Sequence, residues 1–142
     1  MKFWDTSALI PVLVAEPQTA RATRLLLNDP DVIVWTLTRV ELLSALARRR
    51  RSDRAAAAWL RRARQEVLEM WPRWVEVTAL ETVRRHAERI VESHALRAAD
   101  AMQIAAALVA RAEGSDDLAF VTFDLQQAAA AEREGLRVLG PG

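Results

Sequence analysis

Short runs of consecutive apolar residues alternate along the chain with longer segments in which apolar residues recur at helical spacing. This alternation is typical of βα units built around a parallel sheet. Strands are predicted near residues 2–4, 32–35, 74–77, 119–122 and 137–139. The pattern therefore indicates an α/β fold, a three-layer domain from which one helical hairpin protrudes.

Helical segments fill the intervals between these strands, and capping signals mark several of their ends. Pro17 is expected in the first turn of the second helix, and Thr78 with Glu81 matches a capping box. Gly114 and Gly135 are good C-terminal stops for the last two long segments. Helices are predicted over residues 7–15, 17–27, 37–50, 52–70, from 78 onward, 97–112 and from 124 or 125 to 133. The third and fourth of these form the hairpin.

Length and composition limit the classes of protein that need consideration. With 142 residues, the chain is expected to form one domain, residues 1–142, with a substantial core. Its 51% hydrophobic content argues against disorder. The absence of cysteine excludes disulfides, thiolate zinc sites and cysteine nucleophiles, and it favours a cytoplasmic location. No apolar run approaches the roughly 18 residues that a membrane span requires, so we expect no membrane association.

The net charge of +1 is unevenly distributed along the chain. Between residues 39 and 73, ten arginines stand against four acidic residues, a local excess of +6 that leaves −5 for the remainder. A basic segment beside an acidic remainder suits a protein that binds a nucleic-acid backbone next to a metal centre. The alternative is a solvated helical surface in a lineage that prefers arginine, since nineteen of the twenty basic residues are Arg.

Four acidic residues are the main candidates for chemistry: Asp5, Glu41, Asp100 and Asp124. The first and the last directly follow predicted strands, and the other two lie on predicted helices. Parallel strands would bring all four together at one edge of the sheet. Carboxylates gathered in this way repel each other, and hard cations such as Mg²⁺ or Mn²⁺ relieve the repulsion. Metal-assisted hydrolysis of a phosphodiester is the chemistry that suits this arrangement best.

Each of these acids also has a purely structural interpretation. Asp5 and Asp124 stand where acids cap helix N-termini, and Asp100 could stabilise the dipole of its own helix. Glu41 could be an ordinary surface acid beside two leucines. Metal ligation is nevertheless the preferred interpretation for all four. A charged Asp5 at the end of a buried strand needs a partner, and the alanines around Asp100 leave space for an ion and a substrate.

Three stretches of the chain resemble the signatures of PIN-domain nucleases. They are FWDTSAL at residues 3–9, LRAADAMQIAAA at residues 96–107 and FVTFD at residues 120–124. With Glu41 as the helical glutamate, the four acids match the family in order and approximate spacing. The resemblance covers essentially the whole chain. In size and compact spacing it is most similar to the VapC-type toxins of bacterial toxin–antitoxin pairs.

This resemblance implies a parallel five-stranded sheet in the order 3-2-1-4-5, with helices on both faces. It also implies metal-dependent endoribonuclease cleavage of single-stranded or looped RNA. The four acids would then be the catalytic ligands of one or two Mg²⁺ or Mn²⁺ ions. Besides RNA, the implied partners are a cognate antitoxin protein and a second copy of the chain in a homodimer.

Residues near the acids are expected to support them. The hydroxyls of Ser7 and Thr122 are candidates to orient a carboxylate or a water molecule, although both could instead satisfy local backbone groups. A run of four arginines could contact RNA phosphates or, equally, an acidic segment of an antitoxin. These arginines are Arg48, Arg49, Arg50 and Arg51.

Other functions remain open from the sequence alone. A phosphoacceptor domain would also gather acids beside a parallel sheet, but it expects a late lysine, and the only lysine is Lys2. A non-catalytic PIN-like binding module is disfavoured by intact acids at all four positions. A housekeeping RNA-processing PIN enzyme is the main alternative to a toxin. The spacing of His86 and His94 does not suit a zinc site, so both are interpreted as structural or surface residues.

Overall fold

A computed structural model of the chain describes residues 1–114 and 116–141, and within these ranges five parallel strands form one sheet. The strands are β1 (Lys2–Trp4), β2 (Val32–Trp35), β3 (Val75–Val77), β4 (Ala119–Val121) and β5 (Arg137–Leu139). Their order across the sheet is β3-β2-β1-β4-β5, and every neighbouring pair is parallel. The predicted strand positions and the predicted order 3-2-1-4-5 are confirmed.

Seven α-helices connect and cover the strands in the same described ranges. They are α1 (Thr6–Leu13), α2 (Thr19–Asn28), α3 (Thr38–Ser52), α4 (Ala57–Met70), α5 (Leu80–Ser93), α6 (Ala98–Gly114) and α7 (Leu125–Arg133). Two single 3-10 turns, Arg54–Ala56 and Trp71–Arg73, flank α4. The element types therefore agree with the sequence prediction, and the differences lie at helix ends.

Three predicted helix starts are wrong. The fourth helix begins at Ala57 and not at residue 52, because Ser52 ends α3 and a 3-10 turn precedes α4. Pro17 lies before α2 and not in its first turn, because the Thr19 hydroxyl accepts from the Glu16 amide and donates to the Val14 carbonyl. The capping box at Thr78 does not form either. The Thr78 carbonyl accepts the amide of Leu80 in a tight turn at 2.7 Å, and α5 begins at Leu80 without a side-chain cap.

Successive strand residues point to opposite faces of the sheet, and each face carries its own core. Phe3 and Trp35 pack with apolar residues of α5, α6 and α7 in one cluster. Trp4 and Val34 pack with α1, α3 and α4 in the other. All four of these side chains are essentially inaccessible to solvent. Because apolar residues point to both faces, the central strands can form the middle layer of a three-layer domain.

The helical hairpin of α3 and α4 is anchored to the second of these cores. One apolar stripe along the pair is buried there, and its members are Leu42, Leu46, Leu60, Ala63 and Val67. At the tip, the Asp53 carboxylate accepts the amide of Ala56 at 3.3 Å and caps the 3-10 turn that leads into α4.

Within the described part of the chain, no helix has the length and apolar character that crossing a bilayer requires.

Candidate functional site

The four acids predicted from the sequence line one cavity of about 640 Å³. The cavity lies beside the residues that follow β1 and β4, and its walls come from α1, α3 and the first turn of α6. The acidic lining residues are Asp5, Glu41, Asp100 and Asp124, together with Glu16. Parallel strand order brings the first and last of the four together, since β1 and β4 are neighbours in the sheet.

Asp5 is the most deeply buried of the acids, with 4% of its surface exposed. It follows β1, caps the N-terminus of α1, and its own amide donates to the Val121 carbonyl at 3.0 Å. Its Oδ2 accepts the Ser7 amide at 3.1 Å, the Ser7 hydroxyl, and the Thr122 hydroxyl at 3.1 Å. The Asp5 side chain therefore both caps α1 and lines the cavity.

Burial raises the pKa of Asp5 above its ordinary value of 3.8, and the hydrogen bonds from Ser7 and Thr122 oppose this rise only in part. Removing water from a carboxylate penalises its charged form, whereas donors to that form favour it. Asp5 is thus held in a fixed orientation, yet its charge is poorly compensated by the protein. A cation at the cavity would supply the missing compensation.

Glu41 lies in the first turn of α3 and is half-buried. Its pKa is raised from 4.5 to about 7, first by burial and then by the negative charge of Asp5, with a smaller contribution from Asp100. Hydrogen bonds from Thr6 at 3.1 Å and from Gln103 at 3.0 Å act in the opposite direction. The repulsion expected between gathered carboxylates is therefore present between Glu41 and Asp5.

The other two acids line the cavity but are held by partners. Asp100, in the first turn of α6, pairs through Oδ2 with Arg97 Nε at 3.3 Å. Asp124 caps α7, and its Oδ1 accepts the Gln127 amide at 2.8 Å. Asp124 therefore caps a helix and Asp100 lies in the first turn of one, as their structural interpretations predict. Both residues also line the cavity.

The donor set suits a hard divalent cation in its chemistry, because each candidate ligand offers carboxylate oxygens. The raised pKa of Glu41 also shows uncompensated negative charge at this place. Across residues 1–114 and 116–141, however, no group of three or more acidic or histidine side chains is arranged so that it could hold a metal ion. Asp100 and Asp124 are each engaged by another partner, Arg97 and the Gln127 amide.

Two buried glutamines belong to the site and were not predicted. Gln103 is inaccessible to solvent, and its Nε2 reaches the Thr38 hydroxyl at 2.9 Å and the Thr6 hydroxyl at 3.1 Å as well as Glu41. Gln127 is equally buried, and its Nε2 donates to the Asp100 carbonyl at 3.3 Å. A signal existed in the sequence: each glutamine stands three positions after a site acid, on the same face of its helix.

Gly140 fixes the position of Thr122 in a way that the sequence analysis missed. Its φ is +131°, and a Cβ on this residue would lie 1.9 Å from the Thr122 carbonyl oxygen. The Thr122 amide in turn donates to the Leu139 carbonyl at 3.0 Å. Only glycine allows this close approach, so the end of β5 holds Thr122 against Asp5.

Only two of the four arginines predicted as contacts line the cavity. Arg48 and Arg49 line the acidic cavity, whereas Arg50 and Arg51 are not among its lining residues. Arg49 forms an ion pair with Glu16, another lining residue. Arg97, which directly precedes α6, also lines the cavity and was not considered as a site residue in the sequence analysis.

The histidines lie outside this cavity. His94 Nε2 contacts Glu134 Oε1 at 2.8 Å, and the same carboxylate pairs with Arg89. His86 is half-buried on α5. Neither histidine is among the residues that line the cavity.

Comparison with known proteins gives consistent matches over the whole chain. The family model described as PIN domain matches residues 2–137. Ribonuclease VapC45 and Ribonuclease VapC49, from two strains of Mycobacterium tuberculosis, are each 31% identical to the chain over 138 residues, covering 96% of it and 92% of the relative.

Two solved structures share the fold. PAE2754 from Pyrobaculum aerophilum has a TM-score of 0.63 at 25% identity, covering 91% of this chain and 83% of its own. FitAcB from Neisseria gonorrhoeae has a TM-score of 0.64 at 20% identity, covering 99% and 98%. The second likeness concerns the fold alone.

Proposed function

The chain belongs to the PIN domain family, and on that premise we propose that it is a divalent-metal-dependent endoribonuclease, the toxin of a type II toxin–antitoxin pair. Two relatives at 31% identity over 96% of the chain carry the name ribonuclease VapC, which supports both halves of the proposal. The substrate is RNA, and the bond that is broken is a phosphodiester.

One observation carries the catalytic part of the proposal. Glu41 and Asp5 come from elements 36 positions apart in sequence, yet the charge of Asp5 helps to raise the pKa of Glu41 to about 7. A role as a helix cap or as an ordinary surface acid would not explain why a buried carboxylate and a half-buried one lie close enough for their charges to interact. Perturbed carboxyl groups in a cleft are typical of functional sites.

We assign Asp5, Glu41, Asp100 and Asp124 as the residues that would hold one or two Mg²⁺ or Mn²⁺ ions. When bound, such a cation would activate water for in-line attack on phosphorus and stabilise the departing 3′ oxygen, leaving 5′-phosphate and 3′-hydroxyl ends. Ser7 and Thr122 hold Asp5 in place through Oδ2.

Glu41 is held by a separate set of hydrogen bonds. Thr6 donates to its Oε2, and Gln103 donates to its Oε1. Both donors favour the charged carboxylate, which is the form that a cation binds. The two most perturbed acids are therefore each positioned by their own donors before any cation arrives.

The position of Lys2 argues further against a phosphoacceptor function. This lysine is buried and pairs with Asp29 at 3.1 Å, at the amino end of β1, whereas Asp5 follows the carboxyl end. It therefore cannot serve as the cation beside an acylphosphate at the acidic cavity.

The proposed RNA contact includes only two of the four consecutive arginines. Arg48 and Arg49 are assigned to RNA phosphates near the cleaved bond, since both line the cavity. Arg50 and Arg51 stay available to an acidic antitoxin segment. A cognate antitoxin, a homodimer and a cytoplasmic location complete the proposal and rest on the family alone.

Cleavage of structured total RNA by the wild type and by Asp100→Asn tests the proposal. Each protein is incubated with Mg²⁺, Mn²⁺ or EDTA, and the cleaved ends are mapped. The exposed variant Asp117→Asn is the matched control, because it makes the same chemical change outside the cavity. We expect cuts with 5′-phosphate ends from the wild type and the control, only with metal.

For Asp100→Asn we expect a loss of at least about a hundredfold, beyond the range found for residues that merely orient metal ligands. Undiminished cleavage by this variant would overturn the four-acid site. Cleavage by the wild type in EDTA would overturn metal dependence. No cleavage under any condition by folded wild type would favour the non-catalytic binding module.

A further inference from the structure

Arg97 occupies an unusual position in the acidic cavity. It directly precedes α6, lines the cavity, and forms an ion pair with Asp100 while 86% of its side chain stays exposed. Asp100 is far less accessible, with 22% of its side chain exposed. Arg97 is thus an exposed, loosely packed cation that pairs with the carboxylate of a candidate metal ligand.

The pairing of Arg97 with Asp100 is weak by its geometry. The distance of 3.3 Å is met by Nε alone, in an exposed pair three residues apart. Exposed pairs of this kind contribute little to stability, because water and salt screen them and the long side chain loses freedom. A divalent cation carries twice the charge in a smaller volume, so it would displace the guanidinium from Asp100.

The displaced guanidinium would remain beside the substrate path. Arg48 and Arg49 line the α3 side of the cavity, and Arg97 lines the α6 side. A phosphodiester strand entering a cavity with four acids meets repulsion unless cations flank it. Released from Asp100, Arg97 would provide that charge on the α6 side, where arginine can form two parallel hydrogen bonds to a phosphate.

We infer that Arg97 is an exchangeable counter-ion of the site, which pairs with Asp100 in the metal-free protein and contacts an RNA phosphate once a divalent cation is bound. This inference rests on the proposed metal-dependent ribonuclease function. It assigns Arg97 two opposing effects: it competes with the metal, and it favours the RNA. A residue with a merely structural role would not produce effects of opposite sign.

The first test is metal binding in the absence of RNA. Mn²⁺ is titrated by calorimetry into the wild type, Arg97→Ala and Arg84→Ala. The control Arg84 is an exposed arginine on α5 that pairs with Glu88 at 3.7 Å, away from the cavity. Removing the competitor should tighten Mn²⁺ binding about two- to fivefold in Arg97→Ala, the range expected for loss of an exposed ion pair. Arg84→Ala should match the wild type.

The second test is RNA binding with and without metal. A short fluorescent single-stranded RNA of mixed sequence is mixed rapidly with each protein, and anisotropy is read before cleavage at several salt concentrations. With Mn²⁺, Arg97→Ala should weaken binding and reduce the slope of log affinity against log salt by about 1, as for one lost phosphate contact. In EDTA its slope should equal that of the wild type.

The outcomes separate this inference from the proposed function. If the wild type binds Mn²⁺ and cleaves RNA but Arg97→Ala behaves like Arg84→Ala in both tests, Arg97 has no exchange role. If Arg97→Ala weakens Mn²⁺ binding, the arginine supports the metal site and the inference is wrong. If the wild type neither binds Mn²⁺ nor cleaves RNA, the proposed function fails first, and the exchange fails with it.

Discussion

The carboxylates at the two ends of strand β1 lie in opposite electrostatic environments. At the amino end, Asp29 receives the N-terminal ammonium group of Met1 and the side chain of Lys2, and these cations lower its pKa from 3.8 to about 2. At the carboxyl end, burial raises the pKa of Asp5, and burial with the charge of Asp5 raises that of Glu41 to about 7. The same sheet thus carries one compensated and one uncompensated acidic site.

The two ends differ in the partners that their carboxylates have. Asp29 stabilises the start of the strand, because each of its partners is supplied by the chain itself. Asp5 and Glu41 are oriented by neutral donors, Ser7, Thr122, Thr6 and Gln103, which fix carboxylates without neutralising them. An arrangement of fixed but uncompensated charges costs stability in the absence of a cation and is suited to binding one.

The largest expected effect comes from the same substitution made at each end of β1. Asp5→Asn should reduce metal-dependent RNA cleavage at least about a hundredfold and raise the melting temperature of the metal-free protein, since a poorly compensated buried charge is removed. Asp29→Asn should leave cleavage unchanged and lower the melting temperature. Cleavage rates and thermal unfolding in EDTA check both.

The reverse pattern would contradict the comparison. Cleavage that depends on Asp29, or a lower melting temperature for Asp5→Asn, would mean that the carboxyl end is a structural site like the amino end. Because both variants replace one carboxylate by an amide beside the same strand, a general effect of lost charge would appear in both.

Local signals in the sequence predict the strands, the helices and the α/β class, whereas the strand order was implied by the resemblance to PIN-domain nucleases. Strand β1 ends in two buried aromatic residues and is followed by an acid, and the parallel pairing of β1 with β4 then brings Asp5 and Asp124 to one edge of the sheet. The helix start at Thr78 was wrong because the competing bond from Leu80 depends on the geometry of a turn that composition does not reveal.

Much of the site could not be predicted, because its members act through contacts between distant elements. Gln103 reaches Thr6, Thr38 and Glu41 from the buried face of α6, and only the assembled layers show that these groups meet. Gly140 matters through its approach to Thr122. The single-domain organisation and the roles of the four acids stay predictions.

A second way to sharpen the comparison is the pH dependence of stability. Folded Glu41 has a raised pKa, so the folded protein retains a proton that the unfolded chain loses above about 4.5. The stabilisation that protonated Glu41 gives to the folded state is therefore fully present at low pH and is lost as the pH rises toward about 7. In EDTA, we expect Glu41 to lower the free energy of unfolding by about 1–3 kcal/mol over this range.

Denaturant unfolding at a series of pH values measures this loss. Glu41→Gln should flatten the decline, because its side chain has no proton to exchange. Saturating Mn²⁺ should also reverse the decline in the wild type, since the metal binds the deprotonated carboxylate and its apparent affinity rises with pH. Identical profiles for the wild type and Glu41→Gln would show that Glu41 is not an uncompensated acid.

The smallest expected effect concerns the neutral donors that orient Asp5. Ser7→Ala removes a hydroxyl donor from Oδ2 and should reduce cleavage about tenfold, within the 10–100-fold range for groups that orient metal ligands. The control is Ser93→Ala, which removes a hydroxyl that donates to the Arg89 carbonyl on α5. Equal cleavage by Ser7→Ala and Ser93→Ala would exclude a positioning role for Ser7.

The position of a bound cation tests the central claim most directly. Crystals grown with Mn²⁺ would reveal the ion by its anomalous scattering. The account predicts a peak in the acidic cavity within coordination distance of Asp5 and Glu41, with Asp100 or Asp124 turned away from its present partner. Saturating Mn²⁺ without a peak there, or with a peak only at Asp29, would contradict it.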